Sequence, residues 1–105
     1  MSYRIDESAV ETGCWVDGHW GQYAVTQLID IARNRGFEVS RTGELAISNY
    51  TSGYDVASSA EDDLVVQLGD DALYFINDEV LPDGYRVDWY EGEVFCWTVD
   101  EWENV

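Results

Sequence analysis

The sequence predicts a single α+β domain, residues 1–105, in which two main helices pack on one face of a small, mainly antiparallel sheet with a C-terminal β-hairpin. Hydrophobic residues form 46% of the chain, which is enough for a buried core. Apolar residues recur at helical spacing in two stretches, 19–34 and 60–81. The last third holds two short aromatic and β-branched runs separated by two residues, a pattern typical of a hairpin.

The N-terminal third predicts two short extended segments followed by a helix. The extended segments are Ser2–Glu7 and Val10–Val16. Asp17 then suits the N-cap of a helix over His19–Asn34, and Gly36 stands where a left-handed residue would end it. The apolar arc of this helix is broad, so we expect burial on more than one side and a central position in the fold. That arc consists of Ala24, Val25, Leu28, Ile29, Ile31 and Ala32.

The middle of the chain has the weakest pattern. Phe37–Ser40 alternates and is compatible with a strand. Within residues 41–59, Leu45-Ala46-Ile47 fits either a short strand or a helical turn, and the surrounding Asn, Ser and Gly residues favour irregular backbone. The sequence therefore assigns no structure type to residues 41–59.

A second helix is predicted over Ala60–Leu81. Ser59 and Asp62 resemble a capping box at its start, and Gly69 is a point at which it could divide into two segments. Pro82 ends it, because the residue before a proline avoids the α region. At 100° per residue one face is apolar, comprising Leu64, Val65, Leu68, Ala72, Phe75 and Ile76. The opposite face carries Asp63, Asp70, Asp71 and Asp78, with Tyr74 among them.

The predicted hairpin joins Tyr85–Tyr90 to Glu93–Val99 through a two-residue turn at Glu91-Gly92. This register places Arg86 opposite Trp97, where a cation–π contact is expected. One face of the hairpin is predicted to join the core: Tyr85, Val87, Trp89, Val94, Cys96 and Thr98.

The other hairpin face carries Tyr90, Phe95 and Trp97. It is expected to lie under the acidic tail, Asp100–Val105, with Trp102 folding back, or against the first helix. The alternative is a binding patch, since exposed Trp and Tyr clusters often mark contact sites.

The charge is one-sided. The chain has a net charge of −17 and no lysine, and fourteen of its 22 acidic residues follow Ser58, where Arg86 is the one cation. Such a field excludes nucleic acid and anionic membranes as direct ligands and favours a basic partner. No apolar run reaches the ~18 residues of a membrane-spanning helix, and residues 1–8 lack signal-peptide character, so a soluble, cytoplasmic protein is expected, as a monomer or a homodimer.

The residues give little indication of catalysis. Carboxylate pairs can be drawn almost anywhere among 22 acids, and no nucleophile-elbow, P-loop, zinc-protease or dinucleotide-binding pattern occurs. His19 is predicted to be a surface or packing residue, and Cys14 and Cys96 to be free, buried thiols. We therefore expect no enzyme, no catalytic residue, no cofactor and no metal.

The partner-binding hypothesis rests on a row of carboxylates. Asp63, Asp70 and Asp78 recur every seven or eight residues along one side of the second helix, at a repeat of about 10–12 Å. We predict that this row, extended by the hairpin acids, binds the basic groove of a DNA- or RNA-binding protein. The predicted partner-binding residues are Asp62, Asp63, Asp70, Asp71, Tyr74, Asp78, Glu79, Asp88, Glu91 and Glu93.

The combination of small size, extreme acidity and many aromatic residues is similar in composition to nucleic-acid mimics of phages and mobile elements, such as anti-restriction and anti-CRISPR inhibitors. No residue motif accompanies that similarity. The alternative is a salt-adapted acidic domain of unassigned function, with a small enzyme or metal-binding protein as a more distant third.

Overall fold

The computed structural model describes residues 4–53 and 57–105. It confirms an α+β domain with a three-stranded antiparallel sheet in the order β1-β3-β2. The helices and strands are β1 (Gly13–Val16), α1 (Ala24–Arg33), α2 (Arg41–Thr51), α3 (Ser59–Phe75), β2 (Tyr85–Tyr90), β3 (Glu93–Thr98) and α4 (Val99–Glu103). Short 3-10 turns occupy Glu7–Ala9 and Gly18–Tyr23, and a π-helical segment, Ile76–Val80, continues α3.

The hairpin forms in the predicted register. Val87 faces Cys96, Asp88 faces Phe95, and the turn is Glu91-Gly92. Both turn residues have positive φ, 51° and 80°, which is the type I′ geometry that matches the twist of the strands. The side chains of Val87 and Cys96 are fully buried against the helices, so the predicted core face is confirmed.

The N-terminal part differs from the prediction in two places. Of the segment Ser2–Glu7, residues 2 and 3 lie outside the described part of the chain, and Glu7 begins a 3-10 turn instead of extending further. Of Val10–Val16, only Gly13–Val16 forms a strand. A register shift between Cys14 and Val16 makes a bulge at Trp15.

The first predicted helix begins later than expected. The Asp17 carboxylate accepts a hydrogen bond from the His19 backbone N–H at 3.1 Å, as an N-cap should, but it caps the 3-10 turn. Gly21, with φ 53° and ψ −127°, kinks the backbone within that segment, and α1 begins only at Ala24. Gly36 has φ 113° and ends the connection after α1, as predicted. The predicted burial on more than one side is confirmed, because α1 packs on both α3 and the sheet, and its Leu28 and Ile29 are fully buried.

The middle of the chain contains a helix, α2, and residues 54–56 lie outside the described part. The Ser40 hydroxyl accepts a hydrogen bond from Gly43 N at 3.1 Å and starts α2, so the strand predicted over Phe37–Ser40 is wrong. The weak alternation there reflects a connection that packs Phe37 on Phe75, with ring centroids 5.6 Å apart. Gly43 and Ala46 of α2 are buried where α2 packs on α3.

The capping box of α3 lies one residue earlier than predicted. Ser58, not Ser59, is the N-cap, and its partner is Glu61 rather than Asp62. Hydrogen bonds from Ser58 N (3.1 Å) and from the Asn49 side chain (2.6 Å) hold the pKa of Glu61 below its usual range. Glutamate fits this box better than aspartate because its longer side chain reaches back to the N-cap N–H.

The helix continues through Gly69 without the break that the sequence suggested. Gly69 is buried, and a Cβ there would lie under 3.0 Å from Val25 Cγ2 of α1. The glycine therefore serves close packing of α1 against α3. Leu81 has an extended conformation (ψ 139°) before Pro82, which confirms the predicted end of the helical run.

One side chain connects this long helical run to the hairpin. Asn77, in the π-helical segment, donates from Nδ2 to Val87 O (2.7 Å) and to Leu73 O (3.1 Å) and accepts from Val87 N (2.8 Å) at Oδ1. The amide thus makes the two hydrogen bonds that a neighbouring strand would make. The edge of β2 is closed at Val87 as a result.

Replacing Ser58 with Ala should reduce the free energy of unfolding by about 1 kcal/mol, because the Glu61 backbone N–H loses its acceptor. Ser59→Ala is the matched control, and it should change stability by less than about 0.5 kcal/mol. Urea unfolding followed by circular dichroism measures both. Equal effects of the two changes would contradict the observed cap.

Gly69→Ala should destabilise the fold by about 1–3 kcal/mol through overpacking against Val25. In an unobstructed helix the same change stabilises by about 1 kcal/mol, so the sign of the effect is decisive. Val25→Ala should relieve this overpacking. The double variant should therefore have a free energy of unfolding more than about 1 kcal/mol higher than the sum of the two single effects gives, as measured by a double-mutant cycle.

Candidate acidic interaction surfaces

Four acids and one tyrosine project from the part of α3 and the π-helical segment that faces away from the core. We call Asp63, Asp70, Asp71, Tyr74 and Asp78 the α3 surface, and all five are exposed. Tyr74 is 70% exposed and the nearby Val66 is 53% exposed. The opposite side of the helix buries Val65, Gly69 and Ala72, so the predicted division between acidic and apolar faces is present.

The remaining helical residues of the predicted site lie at the margins of the α3 surface. Asp62 is exposed and turned towards α2, where its charge adds to burial in raising the pKa of Tyr50. Glu79 is exposed in the π-helical segment. The Arg4 guanidinium donates to Asp78 O at 2.8 Å and to Leu81 O, so a cation lies at the carbonyl end of the helical run.

The three predicted hairpin acids lie apart from the α3 surface. Asp88 and Glu93 project from the sheet face opposite to the buried Val87 and Val94, and Glu91 is exposed in the turn. Asp88 is paired with the Arg86 guanidinium, so part of its charge is neutralised. The structure therefore brings the predicted residues together as two groups on different elements rather than as one wall.

Aromatic side chains cover the sheet face that carries Asp88 and Glu93. Phe95 and Trp97 stack with ring centroids 4.6 Å apart, and Tyr90 meets Trp97 edge-on at 5.7 Å. Trp102 folds back from α4, as predicted, at 4.6 Å from Trp97. We call Tyr90, Phe95, Trp97 and Trp102 the hairpin face.

Arg86 lies opposite Trp97 as predicted, but its guanidinium pairs with Asp88. Trp102 Nε1 donates to Arg86 O at 2.8 Å and thereby fixes α4 to the strand. Trp97 packs between Phe95 and Trp102, so its ring surface is largely used within the protein.

The cysteines occupy different environments. Cys96 is buried in the core, and burial raises the pKa of its thiol to about 11. Cys14 is exposed, contrary to the prediction, because it faces Phe95 on the outer side of the sheet. Desolvation, followed by the carboxylates of Glu93 and Asp17, raises the pKa of Cys14. The Cys14 Sγ lies 3.9 Å from Glu93 Oε2, which also accepts from Gly18 N at 2.9 Å.

The described residues offer no evident metal site, since no three His, Cys, Asp or Glu side chains converge within 4–53 and 57–105. His19 is exposed and pairs with Asp17, which lowers the pKa of that carboxyl. A cavity of about 360 Å³ has two charged residues, Glu11 and Arg35, in its lining. Its lining is Ile5, Ala9, Glu11, Cys14, Trp15, Ile31, Arg35, Ile76 and Val80.

Comparison with protein-family models, with curated proteins and with solved structures found no match to this chain. The support for the candidate surfaces is therefore their geometry and charge.

Within the part of the chain that the structure describes, every helix is too short or too polar to cross a membrane.

In the folded protein, iodoacetamide should modify Cys14 and leave Cys96 unmodified until the protein unfolds, because Cys96 is both buried and protonated at neutral pH. Glu93→Gln should accelerate modification of Cys14 at fixed pH. Loss of the Glu93 carboxylate lowers the pKa of the Cys14 thiol and so raises the fraction present as thiolate. Glu91→Gln is the matched control. Mass spectrometry of timed samples measures the rates, and equal modification of both cysteines in the folded protein would contradict the assignment.

Proposed function

We propose that this protein is an acidic protein-binding module that uses the α3 surface to occupy the basic groove of a DNA- or RNA-binding protein, as a nucleic-acid mimic. The observation that carries the proposal is the exposure of Asp63, Asp70, Asp71 and Asp78 on one continuous helical run. A basic groove recognises phosphates through Lys and Arg, and the same groups would pair with these carboxylates.

The charge density of this row approaches that of a nucleic-acid strand. The row from Asp63 to Glu79 spans sixteen residue steps of the helix, or about 24 Å. It holds five exposed acids: Asp63, Asp70, Asp71, Asp78 and Glu79. A single strand of B-DNA places about seven phosphates along the same length. The row thus offers roughly two-thirds of the charge, held on a rigid element.

Apolar groups within the acidic row also favour a protein partner. Tyr74 lies among the carboxylates, and Val66 is near the N-terminal end of the row. Tyrosine is enriched among residues that dominate binding energy at interfaces, whereas a surface that serves only solubility does not need one there. Charge would steer the partner at long range, and Tyr74 would provide desolvated contact area at short range.

The long-range field would come from the whole chain. The net charge is −17, and much of it lies on the same half of the sequence as the row. Association should therefore be fast at low ionic strength and should weaken as salt is added. This combination of a field and a shaped row is the means by which anti-restriction and anti-CRISPR inhibitors of the mimic type would act.

The test is capture from a nucleic-acid-depleted lysate of the source organism or its host on the immobilised protein. We expect basic, nucleic-acid-binding proteins to be retained at 50 mM salt, released at 500 mM salt, and released at 50 mM salt by added duplex DNA or RNA. Release by nucleic acid is the decisive readout, because it requires competition for the same groove.

The variant Asp63→Asn, Asp70→Asn, Asp71→Asn, Asp78→Asn should reduce retention at least tenfold and leave the fold as stable or more stable, because repulsion falls. A control variant removes the same charge elsewhere, at Glu7, Glu11, Asp30 and Glu38, through Gln or Asn. Retention that survives the first variant, or that both variants reduce equally, would refute a specific role of the α3 surface. A fold that forms only in molar salt would favour salt adaptation.

A further inference from the structure

The hairpin face ends, on the turn side, at Tyr90, which has acidic neighbours in the turn and across the strands. Tyr90 is 37% exposed, Glu91 follows it in the turn, and Glu93 is its cross-strand partner. Directly opposed residues have Cβ atoms about 4.5–5.5 Å apart, so the Glu93 side chain begins beside Tyr90, and its carboxylate turns towards β1, where it accepts from Gly18 N at 2.9 Å. Phe95 and Trp97 support that ring at centroid distances of 6.2 and 5.7 Å.

Glu91 holds its position against a backbone preference. It is the one described non-glycine residue with positive φ (51°) within 4–53 and 57–105, in a turn position that favours Asn, Asp or Gly. A left-handed conformation is unfavourable for a side chain that cannot hydrogen-bond its own backbone as Asn does. An unfavourable residue at an exposed turn is a reason to look for a role of its charge.

The same face already accommodates one guanidinium. Arg86 pairs with Asp88 beside Trp97, within this patch of aromatic rings. An aromatic face next to a carboxylate suits arginine, which can stack its planar group on a ring and donate hydrogen bonds at its edge. The one arginine of the hairpin, Arg86, is paired with Asp88, so no cation of the hairpin is paired with Glu91 at the turn end.

A second copy of the chain does not suit this patch. Each copy carries a net charge of −17, and the Tyr90 end is itself acidic, so two such faces would repel. Charge complementarity favours a basic occupant. Stacking on an exposed ring favours arginine over lysine, because lysine is a compact and strongly hydrated point charge.

We propose that the Tyr90 end of the hairpin face is a docking site for an arginine-bearing segment of a basic protein. The guanidinium stacks on the Tyr90 ring and pairs with the carboxylate of Glu91. This site lies on a different element from the α3 surface, so it does not depend on nucleic-acid mimicry. It adds a short-range, side-chain-specific contact to a molecule whose charge acts at long range.

The experiment uses the full-length protein and a ten-residue peptide of alternating arginine and glycine. Amide NMR shifts locate the contact, and a fluorescence or calorimetric titration at 50 mM salt measures the affinity. We expect shifts centred on residues 88–97. The same peptide with citrulline in place of arginine, which keeps the shape and removes the charge, should bind at least tenfold more weakly.

Three variants separate the site from general charge. Tyr90→Leu should weaken peptide binding about two- to fivefold, the equivalent of an exposed cation–π contact of about 0.5–1 kcal/mol, and Tyr90→Phe should retain most of it. Glu91→Asn should weaken binding while raising the thermal midpoint, because Asn suits the turn. Asp83→Asn removes one charge at the other end of β2 and should leave the affinity within about twofold.

Opposite effects of Glu91→Asn on affinity and stability are the signature of the site. The proposal is overturned by absence of binding at 50 mM salt, by equal binding of the citrulline peptide, or by equal weakening in Glu91→Asn and Asp83→Asn. It is also overturned if the shifts lie on α3, which would assign the peptide to the α3 surface. Concentration-dependent dimers that Tyr90→Leu dissociates would show that a second copy occupies the face.

Discussion

The hydrogen bonds between the Asn77 side-chain amide and the backbone of Val87 hold the hairpin face in a fixed position relative to the α3 surface. Nδ2 donates to Val87 O and Oδ1 accepts from Val87 N, so one side chain joins the end of the helical run to the edge of the hairpin. An unpaired edge strand would be open to another chain, and β2 is closed at this point without a fourth strand. The π-helical geometry of residues 76–80 places Asn77 here, which is consistent with the frequent occurrence of such segments at functional positions. The Val87 partners are backbone N–H and C=O groups, so these contacts hold the hairpin face and the α3 surface in one relative orientation whatever the Val87 side chain is.

Close packing makes the acidic helix a rigid support. Gly69 lets α3 approach Val25 of α1, and on a neighbouring flank Gly43 lets α2 approach Leu68. Cα groups at these two positions replace side chains that would hold the helices apart, and the apolar residues around them exclude water. The carboxylates of the α3 surface therefore stand on a helix that is supported by two others. Electrostatic complementarity gains from such rigidity, because charges that are already in place need no ordering when a partner binds.

The sequence predicts correctly the elements that a local pattern of residues determines. Its predictions are wrong where two local structures have similar energies and tertiary packing decides between them. The hairpin register followed from period-2 alternation and a turn residue pair, and both hairpin faces were assigned correctly. The predicted cap of α3 is one residue too late. Ser58 and Ser59 are adjacent and equally suited to the N-cap position, and only the Glu61 side chain, which reaches back to the Ser58 backbone N–H, distinguishes them. Gly69 predicts a break because glycine has a low helix propensity. The reason for a glycine here is its contact with Val25, which is 44 residues away in sequence. The α2 helix was hidden since its Ser, Thr, Asn and Gly residues favour turns, and packing of Ala46 on α3 overrides them. No local pattern could show that the acids of the hairpin lie on a different face from those of α3.

Clustering of carboxylates on one helical run is costly for a free monomer. Asp63 and Asp70 are about 10 Å apart along the helix, close to the Debye length at 0.1 M salt, and Asp70 and Asp71 are adjacent. Their repulsion is therefore only partly screened, and an even distribution of the same charges would lower it. Two arginine–carboxylate pairs lie away from the row, at Arg33–Glu44 and Arg86–Asp88, while the Arg4 guanidinium lies at the C-terminal end of the row, on Asp78 O. In the proposed complex, the cations of a basic partner would reduce the repulsion between the carboxylates of the row. The same reasoning applies at the turn, where Glu91 adopts an unfavourable positive φ and exposes a carboxylate.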